Sequence, residues 1–148
     1  MNTLNLERTI MTDKPSQWLN FGYFLLMIIG LVVFPPVGVG LTLVFLWRVL
    51  VIYFWKWNIS LDSIVEVKGV LNVNTDEIYL FRIKDIHLYQ PFLYRLVGLS
   101  KLYLVTSDKT RPVLLLDGIK DGESKREMFK KMTMSNRKRE GVREFDFR

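Results

Sequence analysis

Two long apolar runs, Trp18–Phe34 and Val37–Trp55, stand almost back to back, with only Pro35-Pro36 between them. A helix needs about 20 apolar residues to cross a hydrocarbon core ~30 Å thick at ~1.5 Å per residue. Runs of about 17 and 19 residues sit near that lower limit. Leu, Ile, Val, Phe and Met fill them; the first carries no charge and the second only Arg48. A helical hairpin satisfies its own backbone hydrogen bonds, which suits it to lipid. Pro35 and Pro36 end the first helix, and Pro35–Gly40 reads as the turn. A cleaved signal peptide competes poorly, because the chain has no alanine and a second apolar run follows at once. A re-entrant hairpin that dips in without crossing is the stronger alternative.

The flanks give an orientation. The turn has no Lys or Arg, whereas Arg8 and Lys14 precede the first run and Lys56 and Lys68 follow the second. The positive-inside rule therefore puts both termini in the cytoplasm and the turn outside. Trp18, Tyr23, Tyr53, Trp55 and Trp57 fall at the same ends, where amphipathic rings are favoured. Arg48 is the costly intramembrane residue. It lies eight residues before Lys56, only ~12 Å below the cytoplasmic end, so snorkelling accounts for it. A polar contact to Asn20 or Tyr23, or to another subunit, is the alternative.

Across 148 residues there are 21 basic and 15 acidic side chains, one histidine and no cysteine. The missing cysteines exclude disulfides, zinc–thiolate sites and thiol catalysis. Net charge is +6, mildly basic on both sides of Asn58. Next to a bilayer such an excess suits anionic lipid, and no nucleic-acid-binding motif accompanies it.

After Asn58 the pattern shortens. Ile64–Leu71, Glu77–Phe81, Ile83–Tyr89, Lys101–Thr106 and Val113–Leu116 read as short strands, with Ile83–Tyr89 buried mainly through Ile86 and Leu88. Asn72–Asp76 and Ser107–Arg111 read as turns. A closing helix is expected, capped by Ser124 with Glu127 and docked through Met128, Phe129 and Met132. The division that follows is a cytoplasmic segment 1–17, a hairpin 18–57, a sheet-rich domain 58–134 and a tail 135–148.

The order of these pieces resembles the bacterial pleckstrin-homology (PH) membrane proteins of the YdbS type, over roughly residues 40–132. The resemblance is carried by Gly69, Glu77-Ile78, Arg82-Ile83, Arg95-Leu96-Val97-Gly98-Leu99, Val105-Thr106-Ser107-Asp108 and Gly118-Ile119. It implies a strongly bent seven-stranded antiparallel barrel capped by a C-terminal helix, joined to the membrane hairpin. Phosphoinositide-binding PH domains carry a basic motif in their first hairpin loop. The loop matched to it, Asn72–Asp76, has no Lys or Arg, which argues against inositol-lipid recognition. The family also implies oligomer formation.

Individual residues add surfaces more than chemistry. Asp85 and His87 share a strand face with Glu77 nearby, but nothing supplies a nucleophile or a second histidine, so no catalytic residue, cofactor or metal is assigned. Arg82, Asp85 and Arg95 are expected to brace the loop around Pro91–Gly98. That loop is unusually apolar through Phe92-Leu93-Tyr94, and exposed apolar patches mark contact. Arg137-Lys138-Arg139 is the densest basic run, either a solvated tail or a lipid contact at ~1 kcal/mol per charge. Phe145 and Phe147 fall on one side of an extended tail that could add to a sheet edge. The expectation is a non-enzymatic inner-membrane protein. Its PH-like domain would act as a scaffold toward membrane lipids and a protein partner or second copy, not nucleic acid. The alternative is a lipid-headgroup sensor or lipid-handling protein using Arg95, Lys101, Lys109, Arg111 and the basic tail.

Overall fold

In the computed structural model the chain is described from residue 9 to residue 141. Arg8, Phe145 and Phe147 lie outside the described residues. The first strand, β1 (Thr9–Asp13), arises before the apolar runs, where sequence pattern alone gave no strand. A short 3-10 turn (Gln17–Asn20), with Ser16 Oγ accepting from the Trp18 N–H at 3.3 Å, leads into α1 (Phe21–Val33). Only Phe34 separates α1 from α2 (Pro35–Phe54). The expected turn Pro35–Gly40 is therefore helical. Proline at the first helical positions has no partner for its missing N–H to lose, so the pair starts α2 as readily as it stops α1.

The helices pack antiparallel. Phe24 and Phe45 rings meet at 5.8 Å, and Gly38 lies against the Leu31 backbone, where an added Cβ would come within 2.4 Å. No residue of α1 is buried, and only Gly38 and Ile52 of α2 are. Of the two helices, α2 alone is long and apolar enough to cross a membrane by length and composition; Gln17–Val33 is shorter. Arg48 does not hydrogen-bond Asn20 or Tyr23. Its guanidinium stands 5.1 Å from the Tyr23 ring centroid, and Asn20 donates instead to Gln17 at 2.9 Å.

Beyond the hairpin come β2 (Lys56–Ser60), β3 (Ser63–Lys68), β4 (Asn74–Tyr79), β5 (Ile83–Tyr89), a one-turn helix α3 (Phe92–Leu96), β6 (Leu99–Thr106), β7 (Val113–Lys120) and α4 (Gly122–Arg139). Among the described residues two antiparallel sheets form, β1-β2-β3-β4 and β5-β6-β7, giving seven strands, followed by the helix α4. From Ser100 onward β6 alternates: Leu102, Leu104 and Thr106 are buried while Lys101, Tyr103 and Val105 are partly exposed. That period-2 pattern is what a half-buried strand requires. β5 packs through Ile86 and Leu88 as expected, and a register shift between Ile83 and Asp85 lets Ile83 turn inward too.

Trp57, Ile59, Ile64, Leu80, Leu102, Leu116 and Phe129 are among the core side chains that lie almost wholly out of solvent. Phe129 inserts from α4, flanked by the half-buried Met128 and Met132, as the helical stripe predicted. Burial of an aromatic side chain of this size contributes about 1.5–3 kcal/mol.

Two local readings are corrected. Asn74–Asp76 belong to β4, so the β3–β4 turn is shorter than Asn72–Asp76. The helix cap is Asp121, in the left-handed region at φ 52°, and Ser124 lies inside the helix. Asp121 follows the β7 strand directly, so a sharp reversal there competes with the sequence-ideal capping box. The helix then continues through Arg137-Lys138-Arg139 to its last turn, where cations complement the helix dipole.

Candidate interface at the hairpin base

The register of β1 on β2 fixes the geometry of the whole chain. Asp13 pairs with Trp57 and Thr12 with Asn58, so the segment between them leaves and re-enters the same edge of one sheet. The hairpin is thus an insertion in the connection between the first two strands. This changes which loop is the first: the β1–β2 connection is the apolar hairpin itself, and Asn72–Val73 belongs to the β3–β4 turn.

Two sets of contacts anchor the hairpin to the sheets. On the α1 side, the Ser16 N–H donates to the Gly118 carbonyl at 3.0 Å. Leu19 packs so closely there that a Cβ on Gly118 would meet it at 3.0 Å. Gly118 has φ +67°, so β7 bends there in a conformation that favours glycine. On the α2 side, Trp55 closes the helix and Trp57 opens the sheet, with ring centroids 5.1 Å apart. Both indole N–H groups donate to one oxygen of Glu66, at 2.9 Å and 3.2 Å. The other Glu66 oxygen accepts from Arg111 at 2.7 Å, and Arg111 also reaches Asp76 at 3.2 Å. Lys68 covers the Trp55 ring at 4.2 Å. The side chain of Glu66 is only 7% exposed. A carboxylate this buried is tolerated because three donors satisfy it. Glu66 carried no motif in the sequence; a glutamate inside a strand, between Val65 and Val67, was the only trace.

The candidate cations are scattered. Lys101 sits near the start of β6, 3.2 Å from Asp117, with the Tyr94 ring 5.0 Å from its ammonium. Burial works to lower the Lys101 pKa, but the adjacent Asp117 charge and hydrogen bonds outweigh it and the net shift is upward. Tyr94 donates to Asp117 at 2.9 Å, and burial followed by that carboxylate raises its pKa as well. Lys109 is exposed in the β6–β7 turn, at the opposite end of β6, and Arg111 there is occupied by Glu66 and Asp76. Arg95, expected to brace the loop, is exposed on α3 and makes no ion pair among the described residues. Arg82 pairs with Asp108 at 2.7 Å rather than with Asp85. Asp85 instead lies 3.1 Å from His87, both largely exposed.

The basic run is at the far end. Arg137 donates to the Ile83 carbonyl at 2.6 Å, Arg139 pairs with Asp62 in the β2–β3 turn, and Asn136 donates to the Leu61 carbonyl. The start of α4 touches the hairpin side, where Lys125 pairs with Asp13. The run begins 15 residues after Gly122, and so lies ~22 Å along the axis from the hairpin-side end of the helix. Lys138 is exposed there. Among the described residues no group of three or more His, Asp or Glu is placed to hold a metal ion.

The bacterial PH-domain family description matches residues 14–126, well over half of the chain, and that span contains the hairpin. The protein belongs to the bacterial PH-domain family. No curated protein and no solved structure matches it.

Proposed function

We propose that this protein is a non-enzymatic, membrane-anchored interaction module of the bacterial inner membrane. Its hairpin lodges in the bilayer and its PH-like domain faces the cytoplasm as a scaffold for a protein partner or a second copy. The observation that carries the reading is the β1–β2 pairing, which returns both ends of an apolar hairpin to one side of one barrel. The outward residues of the hairpin, among them Ile29, Val32, Leu43 and Leu46, are not covered by any of the described residues, and lipid would supply the cover. Lys14, Lys56 and Lys68 gather at its base, the arrangement the positive-inside rule associates with the cytoplasmic face.

The headgroup-sensor alternative has less support. Of its proposed cations, Lys101 and Arg111 already hold carboxylates, and the set is divided between the two ends of β6. The test uses a chain with Gln17–Phe54 replaced by a flexible linker of about eight residues, each spanning up to ~3.3 Å. Residues 58–148 alone would lack β1 and the first half of β2. Under the scaffold reading this soluble form binds vesicles weakly and without headgroup preference, while cross-linking of the intact protein in membranes traps a defined protein neighbour. Headgroup-selective binding at physiological salt would overturn it.

A further inference from the structure

We propose that α3 is an interfacial foot, a surface that rests its apolar face on the headgroup region of the bilayer. The inference rests on the membrane reading above and goes beyond it by naming the surface that sets the tilt of the domain. Phe92, Leu93 and Leu96 are 74%, 71% and 68% exposed, high values for large apolar side chains in a loop that the domain could have buried. Their spacing puts them on one side of the turn of helix. The opposite side is held down: Tyr94 donates to Asp117, which also takes Lys101. The apolar face is thus turned outward by a built polar clamp, not left over from poor packing.

Position identifies the occupant. Asp117 precedes Gly118, the residue whose carbonyl receives the Ser16 N–H at the start of the hairpin. The clamp that holds α3 is therefore one residue from the point where the chain departs for α1. On the α2 side, Lys68 lies over Trp55, and the turn that follows it carries Leu71, 83% exposed. Apolar side chains thus flank the base of the hairpin on both sides. Exposed Arg95 beside the α3 face, with Lys14 over the Tyr53 ring and Lys68 over the Trp55 ring at the hairpin base, gives this end a positive rim. Apolar groups inserted at the headgroup boundary under a basic rim are the chemistry of an anionic lipid surface. A protein partner would leave that rim and the closeness to the hairpin unexplained.

The absence of cysteine makes the test direct. Single variants Leu93→Cys, Ser135→Cys and Leu43→Cys of the full chain carry an environment-sensitive fluorophore in phosphatidylethanolamine–phosphatidylglycerol vesicles. With α3 about 5–10 Å into the interface, emission at position 93 is blue-shifted and cut roughly in half by lipids bearing a nitroxide near the headgroup. Position 135 stays sensitive to aqueous iodide and insensitive to those lipids. Iodide quenching at 93 equal to that at 135 overturns the proposal, as does shielding of 93 from both quenchers, which would mean a protein cover. Quenching of position 43 by deep nitroxide lipids alongside either result leaves the membrane reading standing. Failure at position 43 removes that reading and this one together.

Discussion

Glu66 is the residue whose loss separates the hairpin from the sheets most directly. In Glu66→Ala, Trp57 keeps a fully buried indole N–H with no acceptor, a loss of about 1–3 kcal/mol. Trp55 is only partly buried, so water recovers some of its bond. Arg111, with its side chain 36% exposed, retains Asp76, which keeps its share near the ~0.5–1 kcal/mol of a surface pair. Together these give about 2–4 kcal/mol. Glu66→Gln keeps an amide oxygen for the indoles but replaces the Arg111 acceptor with an NH2 group, so about 1 kcal/mol is expected. In a domain this small each kcal/mol moves the melting point by roughly 4–8 °C. The alanine variant should therefore melt on the order of 10 °C or more below the native protein, and the glutamine variant in between. Near-ultraviolet circular dichroism of the detergent-solubilised chain reports this directly, since Trp55 and Trp57 belong to the cluster. Equal melting points for the alanine and native proteins, or for the alanine and glutamine variants, would refute the three-donor account.

Three further outcomes follow from other contacts. Gly38→Ala puts a methyl group into the Leu31 backbone, so the hairpin should splay; disulfide formation between Phe24→Cys and Phe45→Cys should fall sharply in that background. The raised pKa values of Lys101 and Tyr94 mean that both are held protonated by folding. Their contribution is complete below their unfolded values of ~10.4 and ~10 and disappears as pH rises through the folded ones. Asp117→Asn should weaken that alkaline dependence and leave for Tyr94 the part due to burial, read as tyrosinate absorbance against Tyr94→Phe. Changing Arg137, Lys138 and Arg139 to Gln together should loosen the end of α4, seen as faster amide exchange there. Binding to anionic vesicles should be unaffected, because the run lies well beyond a Debye length of ~10 Å from the hairpin base.

How much of this was legible in the sequence depends on the range of the interaction involved. The two apolar helices, the strand at Lys101–Thr106 and the Met128–Phe129–Met132 stripe are local patterns, and the structure repeats them. β1 was invisible because Thr9–Asp13 has only Ile10 and Met11 as apolar residues and becomes a strand through pairing with β2, more than 40 positions away. The Pro35-Pro36 pair reads equally as a stop or a start, and only the packing of Gly38 on Leu31 decides between them. The charges misled most. Arg111, Lys101 and Arg139 look like free cations along the chain, yet each is matched by a carboxylate brought in by the fold. Glu66, the centre of the hairpin joint, stands in no motif and is recognisable only once its three donors converge.

Membrane topology is tested most directly by single-cysteine labelling in oriented inner-membrane vesicles, with a membrane-impermeant maleimide applied to Ser135→Cys and to Val32→Cys near the hairpin tip. The account predicts that Ser135→Cys reacts only from the cytoplasmic side and that Val32→Cys does not react from that side, with the protein resisting alkaline extraction. Reaction of Ser135→Cys from the periplasmic side, or release of the chain by alkali, would contradict it.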